Sequence, residues 1–179
     1  LFDIYLHAIP WGKTSWLWED NEERRWIDET LQKTISYYES GNDFDMSIQV
    51  TIPNEWEKVA PINIGVTAGI ETTKVSPQWI EKSFLMEKII TISEHSKMTY
   101  KNTVYKVENP ETKEPVEVRC PVSIESVSYP VREFKPKKLD LELTTDFNFL
   151  TVAQLSPRKN IDQLIRVFVD TFKDNENVG

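Results

Sequence analysis

Arg158 and Lys159 stand side by side immediately before Asn160-Ile161, where an apolar helical stripe begins. Two adjacent cations at a helix start add to the backbone amides and the positive end of the helix dipole, so the pair suits a phosphate. A second group of residues falls where strand-like runs end: His7 with the Trp11 loop, Asn54-Glu55-Trp56, Glu71-Thr72-Thr73, Ser93-Glu94-His95, and Gln154 to Lys159. Carboxylates, amides, hydroxyls and aromatics in one set suit a polyol or sugar. Hydroxyls need both donors and acceptors, and an apolar ring face stacks on an aromatic. Open parallel sheets bind ligands outside the carboxyl ends of their strands, which is why these positions stand out.

Other chemistries drop out. The five glycines, at 12, 41, 65, 69 and 179, form neither G-x-G-x-x-G nor a Walker loop, and there is no H-E-x-x-H or G-x-S-x-G. Two histidines and one cysteine exclude a dedicated zinc cluster, and no metal is expected. The lone Cys120 rules out an internal disulfide and fits a reducing, cytoplasmic compartment. It reads as a small buried or edge residue. With 21 Lys+Arg against 29 Asp+Glu, a net charge of -8 repels phosphate backbones, so nucleic acid is not an expected partner. No apolar run approaches the ~18 residues of a spanning helix. Lys135, Lys137 and Lys138 fall short of the ~4–8 basic residues of a lipid-binding cluster, so membrane association is not indicated. Leu1–Tyr5 lacks the basic flank of a signal peptide.

The elements that must position these residues alternate. At 39% hydrophobic and 28% charged, the 179 residues are globular in composition. Phe2, Ile4, Leu6 and Ala8 keep the period of a strand; Ile27, Leu31, Ile35 and Tyr38 keep one helical face that Gly41 closes. Phe44 to Ile52 alternates strictly, and the small, apolar run 62–70 suits a strand buried on both faces. Ser76-Pro77 starts a helix for which Trp79, Phe84 and Met86 supply core bulk. Ile89–Ile92 is a strand, and Ser93 caps a helix running towards Tyr105. Glu108–Arg119 reads as a solvated excursion, Val122–Val127 and Phe147–Val152 as strands, and Ile161–Phe172 as a helix with Asn160 at its N-cap. Strands alternating with helices predict a doubly wound, Rossmann-like parallel α/β sheet over residues 1–130, a linker at 131–146, and the first β-α unit of a second such domain at 147–179. The chain opens without Met and ends as a turn is about to feed another strand, so it reads as a piece of a longer protein.

Phe149-Leu150-Thr151-Val152-Ala153-Gln154-Leu155-Ser156-Pro157-Arg158-Lys159-Asn160-Ile161, with Leu164-Ile165-Arg166-Val167-Phe168, resembles the opening of the donor domain in two-domain (GT-B) glycosyltransferases. The likeness is to family 4, the "glycosyl transferases group 1" type. Ile89 to Lys97 resembles the last strand and helix start of their acceptor domain, and Val127–Val131 with Phe134-Lys135-Pro136 the crossing between domains. The resemblance covers roughly 44–179 and is strongest over 149–168. It makes 1–130 part of the acceptor-side domain and 147–179 the start of the donor side.

The resemblance implies transfer of a hexose from a nucleoside diphosphate sugar to a hydroxyl of a glycan, lipid or protein, with retention and no required metal or other cofactor. Lys159 matches the family lysine that grips the donor diphosphate. Ala153-Gln154 replaces the usual Gly-Arg, so Gln154 brings a hydrogen bond without charge, and two outcomes stay open: Arg158 takes over the second cation's role, or the donor is gripped more weakly. The family's Glu-x7-Glu segment would lie beyond Gly179, and its first strand and Gly-rich loop before Leu1; the chain alone is therefore expected to be inactive, and no catalytic residue is assigned. Acceptor-side candidates are His7, Trp11, Asn54, Glu55, Glu71 and His95. Two roles stay open for several of them: His7 as an acceptor-side polar group or a satisfied structural histidine, His95 as an acceptor contact or a cap, and Trp11, Trp16 and Trp18 as a sugar-stacking lip or core. The alternative function is a non-catalytic α/β module binding a ligand or partner. A bare truncation would leave apolar faces exposed on 147–152 and 161–172.

Overall fold

A run of alternating residues becomes a parallel strand only when a crossover returns the chain to the same end of the sheet, and three such returns build this protein's sheet. The computed structural model describes residues 2–9, 20–68 and 70–179, in two units, Leu1–Val131 and Arg132–Gly179.

In the first unit, helix α1 (Glu22–Glu39) precedes strands β1 (Met46–Val50) and β2 (Ile62–Thr67). Helix α2 (Pro77–Ser83), strand β3 (Lys88–Thr91) and helix α3 (Glu94–Asn102) follow; then come β4 (Val104–Glu108), β5 (Pro115–Arg119) and β6 (Ser123–Ser126). The main sheet has the order β1-β2-β3-β6, every pair parallel, with Gln49, Gly65, Ile89 and Ile124 in one row. The chain is thus an α/β protein with a parallel four-stranded sheet. The anticipated caps form: Ser76 Oγ accepts from Trp79 N and Ser93 Oγ from Ser96 N.

One face of the sheet carries the core. Trp56, Ile70, Val75, Ile80, Met86, Ile89 and Tyr100 form a single buried cluster drawing on α2, α3 and β3. Asn63, wholly buried on the same face, is fully satisfied: its Oδ1 accepts from Ser47 Oγ, Val59 N and Ala60 N, and its Nδ2 donates to Ala60 O. On the other face Ile48, Val50 and Ile62 are each about half exposed. The expectation that β2 is buried on both faces is therefore corrected: Asn63, Gly65 and Thr67 are buried, whereas on the other face Ile64 and Val66 are only partly buried and Ile62 is about half exposed. Phe84, expected in the core, caps the C-terminus of α2 and is 58% exposed.

Three further expectations change. Phe2–Ile9 forms no strand and joins no sheet; it runs along α1, where Leu6 N donates to Thr34 Oγ1 and Tyr5 packs on Tyr37 at 4.4 Å. That contact turns Thr30 and Thr34 inward and leaves Ile35 and Tyr38 outside. Helix α3 stops at Asn102, before Tyr105, because the Thr103 hydroxyl closes back on Thr99 O. The excursion at 108–119 belongs to an antiparallel hairpin, β4–β5, whose tip is tied by Asn109 Oδ1 accepting from Glu111 N and Thr112 N.

In the second unit, helix α4 (Ile161–Phe172) follows a short 3-10 turn, Pro157–Lys159. The expected strand 147–152 reduces to a parallel bridge, Phe147 to Val178, since Asn177–Gly179 is the one segment described beside it. Phe147, Phe149, Phe168 and Phe172 pack ring to ring. Leu150 and Val152 are almost fully exposed, as are about half of Ile165 and Val167, so apolar surface lies open on both segments. Asn160 is not the side-chain cap expected. It adopts the left-handed conformation (φ 49°), its amide meets Gln163 Oε1, and only its carbonyl serves the helix.

Candidate functional site

The loop from β2 to α2 is laid against α3 by three bonds. His95, in the first turn of α3, places Nε2 3.2 Å from Thr72 O; Thr99 Oγ1 donates to the same carbonyl at 3.3 Å; and Val75 N donates to Thr103 Oγ1 at 3.1 Å. The loop therefore runs the length of α3, from the helix start beside the C-terminal end of β3 to its final turn. The hairpin closes the far side, where Tyr105 OH donates to Val75 O at 2.6 Å.

Between these parts lies a cleft of about 480 Å³, floored by Ile70 and Val75 and bordered by Glu71, Thr72, Lys74, Ser76, Trp79 and Tyr105. Its size falls in the ~300–1,000 Å³ range of small-molecule sites. Trp79 is half-buried and stacks on Tyr100 at 6.2 Å, with 20° between the rings. Lys74 Nζ sits 4.1 Å from the centre of the Tyr105 ring, a cation on the negative face of an aromatic. Beneath Trp79, burial holds the Tyr100 phenol well above its ordinary pKa, with the Cys120 thiol adding to the effect. Tyr100 is a neutral structural ring.

The structure gathers some expected residues and scatters others. Glu71 borders the cleft, and His95 bonds the carbonyl of the next residue, so these two share one loop–helix junction. Asn54 and Glu55 lie on a 3-10 turn at the end of β1, where the Glu55 carboxylate accepts the Thr51 hydroxyl. His7 is exposed on the segment beside α1, not at a sheet strand's end. Trp11, Trp16 and Trp18 lie outside the described residues. In the second unit Gln154, Arg158 and Lys159 are exposed, the two cations on the turn that enters α4. Lys97 bridges Glu94 and Glu125 at 4.0 and 3.3 Å, tying α3 to β6.

Among the cleft's border residues, sequence reasoning assigned no site role to Lys74, Ser76, Trp79 or Tyr105. Trp79 was legible as an apolar helix position but not as one with a free edge. Tyr105 joins it only through the hairpin. Among the described residues no group of three or more His, Cys, Asp or Glu is placed to hold a metal ion, and no helix is long and apolar enough to cross a membrane. Comparison of the chain with protein-family models, curated proteins and solved structures gives no match.

Proposed function

We propose that this chain belongs to a family 4 GT-B glycosyltransferase, in which the first unit is the Rossmann-like acceptor side and the second opens the donor side. The enzyme moves a hexose from a nucleoside diphosphate sugar to a hydroxyl of a glycan, lipid or protein. The observation that carries this reading is the turn at Pro157–Lys159, which sets two cations directly ahead of a 12-residue helix. The first amides of such a helix have no partner within it and point along the positive end of its dipole.

A diphosphate leaving group gains negative charge as its bond to the sugar breaks. Lys159, Arg158 and the leading amides of α4 interact more strongly with that charge as it grows, which lowers the barrier. Gln154 adds a neutral hydrogen bond. On the acceptor side, Glu71 and His95 offer a carboxylate and an imidazole at one loop–helix junction for the incoming hydroxyl.

The test is a titration of the chain with inorganic pyrophosphate and with UDP, followed by amide NMR. Shifts are expected at residues 158–163, and Lys159→Ala should weaken both ligands by about tenfold or more, the scale of one charged hydrogen bond. Unchanged spectra, or equal affinity for the Lys159→Ala variant, would overturn the assignment.

A further inference from the structure

We propose that the outer edge of β1 takes residues 138–143 of a second copy of this chain as an added parallel strand. The inference goes beyond the transferase reading and does not rest on it.

Strand β1 pairs with β2 on one side, and among the described residues nothing pairs with its other side. Met46–Val50 carries no charge, no proline and no bulge, the devices that keep an edge strand from pairing. Ile48 and Val50 stand more than half exposed along it.

Residues 138–143 have the complementary pattern. Leu139, Leu141 and Leu143 alternate with Asp140 and Glu142, and each leucine is more than half exposed. The segment forms no regular element, and among the described residues its one backbone bond runs from Leu143 N to Leu141 O. Its other backbone donors are open to a partner strand.

Charge sets the direction and the register. Asp45 directly precedes β1, and Lys138 directly precedes the leucines. Both are exposed, and neither has an ion partner among the described residues. In a parallel ladder with Lys138 opposite Asp45, the three leucines fall opposite Met46, Ile48 and Val50. Asp140 and Glu142 then fall opposite Ser47 and Gln49, polar against polar. The added strand continues a sheet whose pairs are all parallel. An antiparallel strand over the same span would bring Leu143 to Asp45 and Lys138 to Val50.

The occupant comes from another copy because of chain length. Only residues 127–137 separate β6 from Lys138, whereas a parallel return to a neighbouring strand already takes about a dozen residues or more. Strand β1 is also at the opposite edge of the sheet from β6. Two copies that exchange the segment close a twofold dimer.

Sedimentation velocity on the full chain across a range of concentrations tests this, and a dimer is expected. Leu141→Asp, Asp45→Lys and Lys138→Asp should each weaken association about fivefold or more. Mixing the Asp45→Lys and Lys138→Asp chains should restore it, because both interfaces of the mixed dimer then pair opposite charges. All three positions are exposed, and circular dichroism of each variant checks that the fold is kept. A monomer at every concentration, a dimer that Leu141→Asp leaves intact, or a mixture no tighter than its parts overturns the proposal. Pairing of β1 with β1 of a second copy would give the second of these results.

Discussion

The indole of Trp56 lies over the Cα of Gly65 so closely that a Cβ on Gly65 would stand 2.5 Å from Cζ2 of the ring. Trp56 is wholly buried and heads the core cluster, so the ring has nowhere to retreat. Gly65→Ala should therefore cost about 1–3 kcal/mol through overpacking, read as a lower midpoint in urea unfolding. In the background of Trp56→Leu the same change should cost much less, because the two residues share one contact. Equal costs in both backgrounds would contradict the packing described.

Thr67 ends β2 on the core face, is 3% exposed, and its hydroxyl has no hydrogen-bond partner among the described residues. A buried polar atom without a partner costs free energy that an apolar atom of the same shape does not. Thr67→Val should leave stability unchanged or raise it by up to about 1 kcal/mol. A clear loss in thermal denaturation would reveal a partner for that hydroxyl.

Ser93, before α3, and Asn160, before α4, serve their helices in different ways: the first through its side chain, the second through its backbone carbonyl. Ser93→Ala removes a side-chain acceptor from Ser96 N and should cost about 1 kcal/mol. Asn160→Gly removes no backbone cap bond and relieves a left-handed residue, so it should be close to neutral, whereas Asn160→Ala should cost about 1 kcal/mol. Calorimetry of the three variants separates the cases.

Asp3, Tyr5 and Lys33 give stability a dependence on pH at both extremes. Lys33 and Tyr5 both donate to the Asp3 carboxylate and hold its pKa below the usual value. The folded state therefore binds that proton more weakly than the unfolded chain. The contribution is present above the unfolded value and is lost as pH falls through the lowered one. Tyr5 is shifted the other way, up to about 12, first by burial of its ring and then by the bond to Asp3. Its contribution is complete below about 10 and lost as pH rises towards 12. Urea unfolding across pH should show Asp3→Asn flattening the acid limb and Tyr5→Phe the alkaline one.

Much of the scaffold was legible because its signals are local. The alternation at 44–52 becomes β1, Ser76-Pro77 and Ser93 begin helices with the side-chain bonds their types imply, and Ile161–Phe172 is a helix. Where a local pattern had two outcomes, the sequence could not choose. Phe2–Ala8 alternates like a strand, but Thr34, Lys33 and Tyr37 offer its polar and aromatic groups better partners along α1. The Pro-rich charge of 108–119 concealed a hairpin because cross-strand pairs such as Tyr105 with Val118 are read only when the chain turns back.

The amino-acid sequence by itself determined the parallel α/β plan, the helix starts and the cations ahead of α4, since period, capping chemistry and charge act over a few residues. Tertiary structure alone decided which face of the sheet is core and that Glu71, Lys74, Trp79 and Tyr105 border one cleft. The reason is physical: closing a loop along α3 and folding a hairpin beside it brings together side chains whose attraction no spacing in the chain encodes.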